Sequence, residues 1–166
     1  MLLSPAFYMD KLLSVLDRRF ADVHARSVQL IAAAATEDLF RKPRDLVNSF
    51  EMFSCGEFTL RSAGAVEQAI GGITRRLWDD PFEWTLPEEL STGPKLIEYL
   101  DEVEQSRVDG FSFFSSDDDL ARELPSPQTM RSLFEVLVDA LGRAEHFQGR
   151  AFAVFRLFSD EKLPRL

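Results

Sequence analysis

The stretch Val136-Leu137-Val138-Asp139-Ala140-Leu141-Gly142-Arg143-Ala144-Glu145-His146-Phe147-Gln148-Gly149-Arg150 decides how the rest of the chain is read. It lies within a segment from Thr129 to Phe158, introduced by Ser126-Pro127 with Ser as N-cap and Pro at the first helical position. At about 100° per residue from Leu141, Met130, Phe134, Leu137, Ala144, Ala151, Phe152, Phe155 and Phe158 fill one broad arc. An arc that wide touches two neighbours, so the spacing predicts a central helix. Two polar residues fall inside it, Glu145 at about +40° and Gln148 at about −20°. His146 falls with Glu135, Asp139 and Arg150 on the opposite face. A polar group inside the arc needs a partner or water, since leaving it unpaired costs about 1–3 kcal/mol.

Three more helices are read outward from this one. Leu12, Leu16, Phe20, Val23 and Ile31 recur at mostly three- and four-residue steps, with Asp10, Asp17, Arg18 and Arg26 on the other side. They predict a long amphipathic helix over roughly 5–34, opened by Ser4-Pro5. Thr36-Glu37-Asp38 then caps a short helical turn ended by Pro43, and the aperiodic piece from Lys42 to Cys55 wraps the bundle. Val66, Ala69, Ile70, Ile73 and Leu77 predict a second long helix over Glu57–Leu77. Gly71-Gly72 inside it cost about 1 kcal/mol each, so they kink the helix or let another backbone approach. The aromatic, proline-punctuated connection from Trp78 to Pro87 is expected to fold over one end of the bundle. A third helix starts near Ser91-Thr92-Gly93-Pro94 and buries Leu96, Leu100, Val103, Phe111 and Phe114, with Gly110 a weak point near its end. Asp117-Asp118-Asp119 caps a short helix after it. The fold class expected is all-α, a four-helix bundle with short extra helices in its connections and residues 1–166 as a single domain.

Composition agrees with a folded domain and excludes several functions. Of 166 residues, 45% are hydrophobic and 28% charged, which is globular and not disordered. Fifteen phenylalanines against two Trp and two Tyr favour packing over chemistry, because Phe has no polar handle. A net charge of −9, with basic residues scattered as Arg18-Arg19, Arg41-Lys42 and Arg75-Arg76, argues against a nucleic-acid partner. The one cysteine, Cys55, cannot form an internal disulfide, and no apolar run reaches the ~18 residues of a membrane span. Met1-Leu2-Leu3-Ser4-Pro5 has neither the basic start nor the apolar run of a signal peptide, so a cytoplasmic location is expected.

The Val136–Arg150 stretch resembles the last helix of DinB/YfiT-like proteins, which commonly reads H-E-x-x-H-x-G-Q. The order of helices, the looped crossing after Trp78, and Gly72-Ile73 where that family often has His-Ile extend the resemblance over most of the chain. Anchoring on Gly149 puts the family's two last-helix histidines at Arg143 and Phe147, and its second-helix histidine at about Gly72. In the family these three histidines bind a divalent metal. Neither Gly nor Phe supplies the imidazole, carboxylate or thiolate donor that such a metal takes. With only His24 and His146 in the chain, a three-histidine centre cannot be assembled, and no Glu-x-x-His occurs for a carboxylate centre. No metal and no other cofactor is therefore expected, and Gly72, Arg143 and Phe147 mark the corners of the expected pocket.

Four residues remain as candidates for chemistry. Glu145 with Gln148, reached by Arg143, could line that pocket and accept a proton, against the plainer reading of a polar network paired to a neighbouring helix. His24 lies about 40° from Phe20, where a boundary histidine with one hydrogen bond is the plainer reading. His146 reads as a surface residue, and Cys55 has no basic partner in sequence and reads as inert. Asp79, Asp80 and Glu83 read as a helix end and turn, and neither they nor Asp117-Asp118-Asp119 match a calcium-loop spacing. The function expected is a metal-free bundle acting through a small-molecule pocket or a protein interface, with homodimers implied by the resemblance. The alternative is a divergent enzyme, S-transferase-like or hydrolase-like, with a relocated or metal-independent site.

Overall fold

A computed structural model describes residues 11–43, 52–83 and 87–165. The helix start expected at Ser4-Pro5, most of the wrapping piece before Cys55, and Trp84 lie outside them. Four long helices form the body: α1 (Lys11–Ala33), α3 (Cys55–Arg75), α4 (Gly93–Phe111) and α5 (Leu133–Phe158), with a one-turn α2 (Thr36–Leu39) between the first two. Short 3-10 turns at Pro81–Glu83, Pro87–Leu90 and Asp117–Ala121 sit in the connections.

Local chemistry sets the helix starts. Ser54 and Ser132 each accept a bond from the backbone N–H of a glutamate three residues on, Glu57 and Glu135, whose carboxylate in turn accepts one from the serine N–H. Each box satisfies two donors that a helix otherwise leaves open. Bonds from Ser132 draw the exposed Glu135 carboxyl below its usual range. For Glu57, partial burial pushes upward, but bonds from Ser54 and the Lys42 ammonium outweigh it. Thr92 caps α4, whose first turn holds Pro94. The turn at α2 differs from expectation: its N-cap is Ala35, with no side-chain cap, and Thr36 is already helical.

A second difference is larger. Ser126-Pro127 does not open the last helix; it forms the turn of a hairpin between β1 (Glu123–Pro125) and β2 (Met130–Ser132), in which Leu124 faces Arg131. Ser126 donates from both its backbone N–H and its hydroxyl to the Thr129 carbonyl, closing the turn. A serine before proline suits a turn as well as a cap. Met130 is therefore on a strand and 52% exposed instead of lying on the helical arc, and Phe134 in the first turn of α5 is 42% exposed. From Leu137 on, the arc is buried as expected through Ala144, Ala151, Phe152 and Phe155.

Contacts between named residues fix the directions. Phe58 faces Phe147 and Ser62 bonds the Ala144 carbonyl, so α3 and α5 are antiparallel. Arg19 pairs with Glu145 while Ser27 meets Gln148, so α1 and α5 are parallel; Asp17–Arg107 and His24–Asp101 make α1 and α4 antiparallel. Hence α3 and α4 are parallel neighbours, and the chain between them must return along the bundle. This is why the connection expected over one end runs, over its described residues 78–83, back beside α3: Trp78 lies on Gly72, while the Phe82 ring reaches within 2.7 Å of a Cβ placed on Gly64. Those glycines admit aromatic rings, not a second backbone. Leu77 lies beyond α3 and is exposed, after Arg76 has ended the helix in the left-handed region at φ 61°.

The core has two parts. The larger joins the four helices to Leu120 and Leu124 beneath the hairpin. The smaller gathers Leu30, Cys55, Phe58, Ala151, Phe152, Val154 and Phe155 where α3 begins and α5 ends. Arg26, read from sequence as solvent-facing, is 7% exposed in the α1–α5 seam. Val23 and Leu30 lie within about 60° of it on the helix, so its position is a seam position despite its charge.

Candidate functional site

Along the α3–α5 seam the three expected pocket corners separate. Phe147 stacks on Phe58, ring centroids 6.5 Å apart, and Phe58 packs edge-on against Phe53. Gly72 is fourteen residues beyond Phe58 on α3, about 21 Å along the axis. Over Gly72 lies the six-membered ring of Trp78, so closely that an added Cβ would clash with it. Arg143, one turn before Phe147, reaches the other way: its Nη1 donates to Gln68 Oε1 at 2.9 Å. Antiparallel packing therefore puts Phe58, not Gly72, opposite Phe147, a register that sequence spacing within single helices does not reveal.

None of the positions facing one another there carries a metal donor. Among the described residues, no three His, Cys, Asp or Glu side chains come together as ligands. The side chains present do not fit the histidine-bound metal that the resemblance implies.

A polar cleft of about 380 Å³ does open at Arg143. Gln68 and Trp78 form one wall, Arg131, Asp139 and Arg143 another, and the Ser126–Thr129 turn a third. Trp78 is fixed at both ends, its indole N–H donating to the Pro125 carbonyl at 3.1 Å and its own carbonyl accepting from Gln68 Nε2 at 2.7 Å. Arg131 pairs with Asp139. Among the described residues that leaves Arg143, bonded to Gln68, as the guanidinium of the cleft without a carboxylate partner. The hairpin supplies Ser126–Thr129 and Arg131 to this cleft, and the sequence carries no sign of it beyond the pairing of Ser132 with Glu135 as a helix start.

Glu145 and Gln148 are not in the cleft; both face α1. The Glu145 carboxylate pairs with Arg19, and Arg26 Nη2 stands 3.6 Å from the same oxygen. Arg26 Nε and Nη2 are buried and make no hydrogen bond among the described residues. The Gln148 amide is buried and donates to the Val23 carbonyl at 2.7 Å and to Ser27 Oγ at 2.8 Å. That is the paired polar network of the plainer reading. His24 bonds Asp101, Nε2 to Oδ1 at 2.9 Å, and His146 is exposed. Cys55 is buried, and burial pushes its thiol up to about 12 against a smaller opposing effect of the Thr59 hydroxyl. A thiol that stays protonated at neutral pH is no nucleophile. Tyr99 likewise has its phenol pushed upward, by burial first and then by the Glu67 carboxylate it donates to at 2.6 Å.

No family model matches this sequence, and no curated protein matches it. Solved structures do. A DinB-like protein, YjoA, from Bacillus subtilis superposes with a TM-score of 0.69 at 15% identity, over 90% of this chain and 95% of that one. A DinB-like protein from Bacillus cereus ATCC 10987 gives a TM-score of 0.69 at 11% identity, over 91% and 95%. Among the described residues no helix is long and apolar enough to cross a membrane. At these identities the likeness is one of fold: the chain is an all-α, DinB-like helical bundle.

Proposed function

We propose that this chain is a metal-independent, DinB-type bundle that binds a small anionic molecule in the Arg143 cleft. The observation that carries the reading is the Arg143 guanidinium, positioned by Gln68 at the mouth of a cleft whose wall is the pinned Trp78 ring. A guanidinium presents a fork of donors suited to carboxylate or phosphate, and a fixed aromatic face gives the rest of such a ligand a surface. An S-transferase-like or hydrolase-like enzyme finds less support, because Glu145 and Gln148 are taken up by α1 and neither lines the cleft.

The test uses purified full-length protein carrying Trp84→Phe, so that Trp78 alone reports. Citrate and inorganic phosphate are titrated while its fluorescence is followed, and metal is measured by mass spectrometry. Saturable quenching that Arg143→Ala abolishes is the expected result. No saturable change with either anion, or one indifferent to Arg143→Ala, would sink the ligand reading. Near-stoichiometric zinc or nickel would end the metal-independent one.

Pairing of two copies is a second reading, favoured by exposed apolar residues on the parallel neighbours α1 and α5. Leu12 and Val15 on one, and Phe134 and Val138 on the other, are each exposed. Light scattering at high protein concentration is expected to give twice the chain mass, and a monomer there removes the reading.

A further inference from the structure

A second opening shares no lining residue with the Arg143 cleft. It is a groove of about 900 Å³ between the end of α1 with α2 on one side and α4 on the other. Ile31, Leu39 and Ile97 form its apolar floor, and Glu98, Asp101 and Glu102 line its α4 edge. No lysine or arginine lines it. Asp101 takes the His24 bond, whereas Glu98 and Glu102 have no hydrogen-bond or ion-pair partner among the described residues.

From this pairing of an apolar floor with an uncompensated acidic edge we infer that the groove binds a small aliphatic organic cation of the polyamine class. Glu98 and Glu102 are one helical turn apart, about 6 Å, so each can meet its own ammonium while the methylene chain between them lies on Ile97 and Leu39. An anionic ligand is excluded by the same carboxylates. The volume lies within the roughly 300–1,000 Å³ of small-molecule sites. The site is independent of the Arg143 cleft in charge, place and ligand.

Calorimetric titration of the full-length protein with spermidine at moderate salt tests this. Saturable one-to-one binding is expected, weakened at least about tenfold by the double variant Glu98→Gln/Glu102→Gln, since each exposed pair contributes modestly and two are removed together. Ile97→Gln is expected to weaken it too. The double variant Glu123→Gln/Asp160→Asn removes the same charge from exposed positions elsewhere and is expected to leave binding unchanged. Circular dichroism confirms that each variant is folded. Absence of saturable heat overturns the proposal, and so does equal weakening by the two double variants, which would mean attraction to net charge alone. A lysine-rich amphipathic peptide that binds more tightly than spermidine and is lost with Glu98→Gln/Glu102→Gln would assign the groove to a protein partner and overturn it as well.

Discussion

At one end of the α3–α5 seam Phe58 and Phe147 stack in a dry cluster with Cys55 and Phe155, whereas at the other Gln68 and Arg143 meet over a polar cleft. The two ends belong to the same pair of helices, so the helices do not make the difference. At the dry end, large side chains meet each other. At the open end, Gly72 surrenders its side-chain space to Trp78, which is held by Gln68 at its carbonyl and by Pro125 at its indole N–H and so links α3 to the hairpin. Space in this bundle is therefore controlled by what fills it from the connections. Removal of filling should be costly at the first end, and addition of filling costly at the second.

The largest effect is expected from Phe58→Ala. This ring is 1% exposed and touched by Phe53, Phe147 and Arg150, so its loss should cost about 3–5 kcal/mol in urea denaturation. A loss under about 1 kcal/mol would mean that the cluster collapses freely and is not tightly packed. Next comes Gly72→Val, which forces the Trp78 ring off α3. Overpacking of this kind costs about 1–3 kcal/mol, and it should also shift Trp78 fluorescence in a Trp84→Phe background. Unchanged stability and emission would show that the ring does not depend on Gly72.

Much of this contrast could be read from the sequence, and its failures have definite causes. The helices of the body were legible because Leu16, Phe20, Val23 and Ile31, or Leu96, Leu100 and Val103, repeat at helical spacing and are buried where that spacing puts them. Gln148 as a paired polar residue and His146 as a surface one followed from the same wheel. The hairpin was not legible: two three-residue strands are too short for any period, and Ser126-Pro127 copies a helix start. Ser132 and Glu135, three apart, were the better signal, since the box needs both partners and a lone Ser-Pro does not. The resemblance puts Gly72 at a pocket corner with Phe147, and nothing within a single helix states which residues of another lie opposite. Arg26 was read by its charge and not by its neighbours Val23 and Leu30.

A smaller effect at the dry end is expected from pH. The Cys55 thiol titrates near 9.0 when free and is pushed up to about 12 by burial in the folded chain. Folding thus favours the protonated form: its contribution is fully present below pH 9 and is lost as pH rises from there toward 12. Midpoints of urea denaturation should fall between pH 8 and about 10.5, and Cys55→Ala should shallow that fall without abolishing it, because the Tyr99 phenol shifts in the same direction. At pH 8, Ellman's reagent should modify Cys55 far more slowly in the native protein than in urea. Equal rates would mean that the dry end opens readily to solvent.

The smallest effect on stability belongs to Arg143→Ala, and it sharpens the comparison most. Arg143 is exposed and makes a single described hydrogen bond, to Gln68, so its truncation should change stability by no more than about 0.5 kcal/mol. It sits one turn from Phe147 on the same face-to-face seam, and the difference between a near-silent site and a costly one across that turn marks where packing gives way to a binding surface. The same variant should abolish citrate quenching of Trp78 while its urea midpoint stays at that of the parent. If instead Arg143→Ala destabilised the chain by as much as Gly72→Val, the guanidinium would be a strut holding α3 to α5, and the cleft it borders would be a consequence of packing with no ligand to explain.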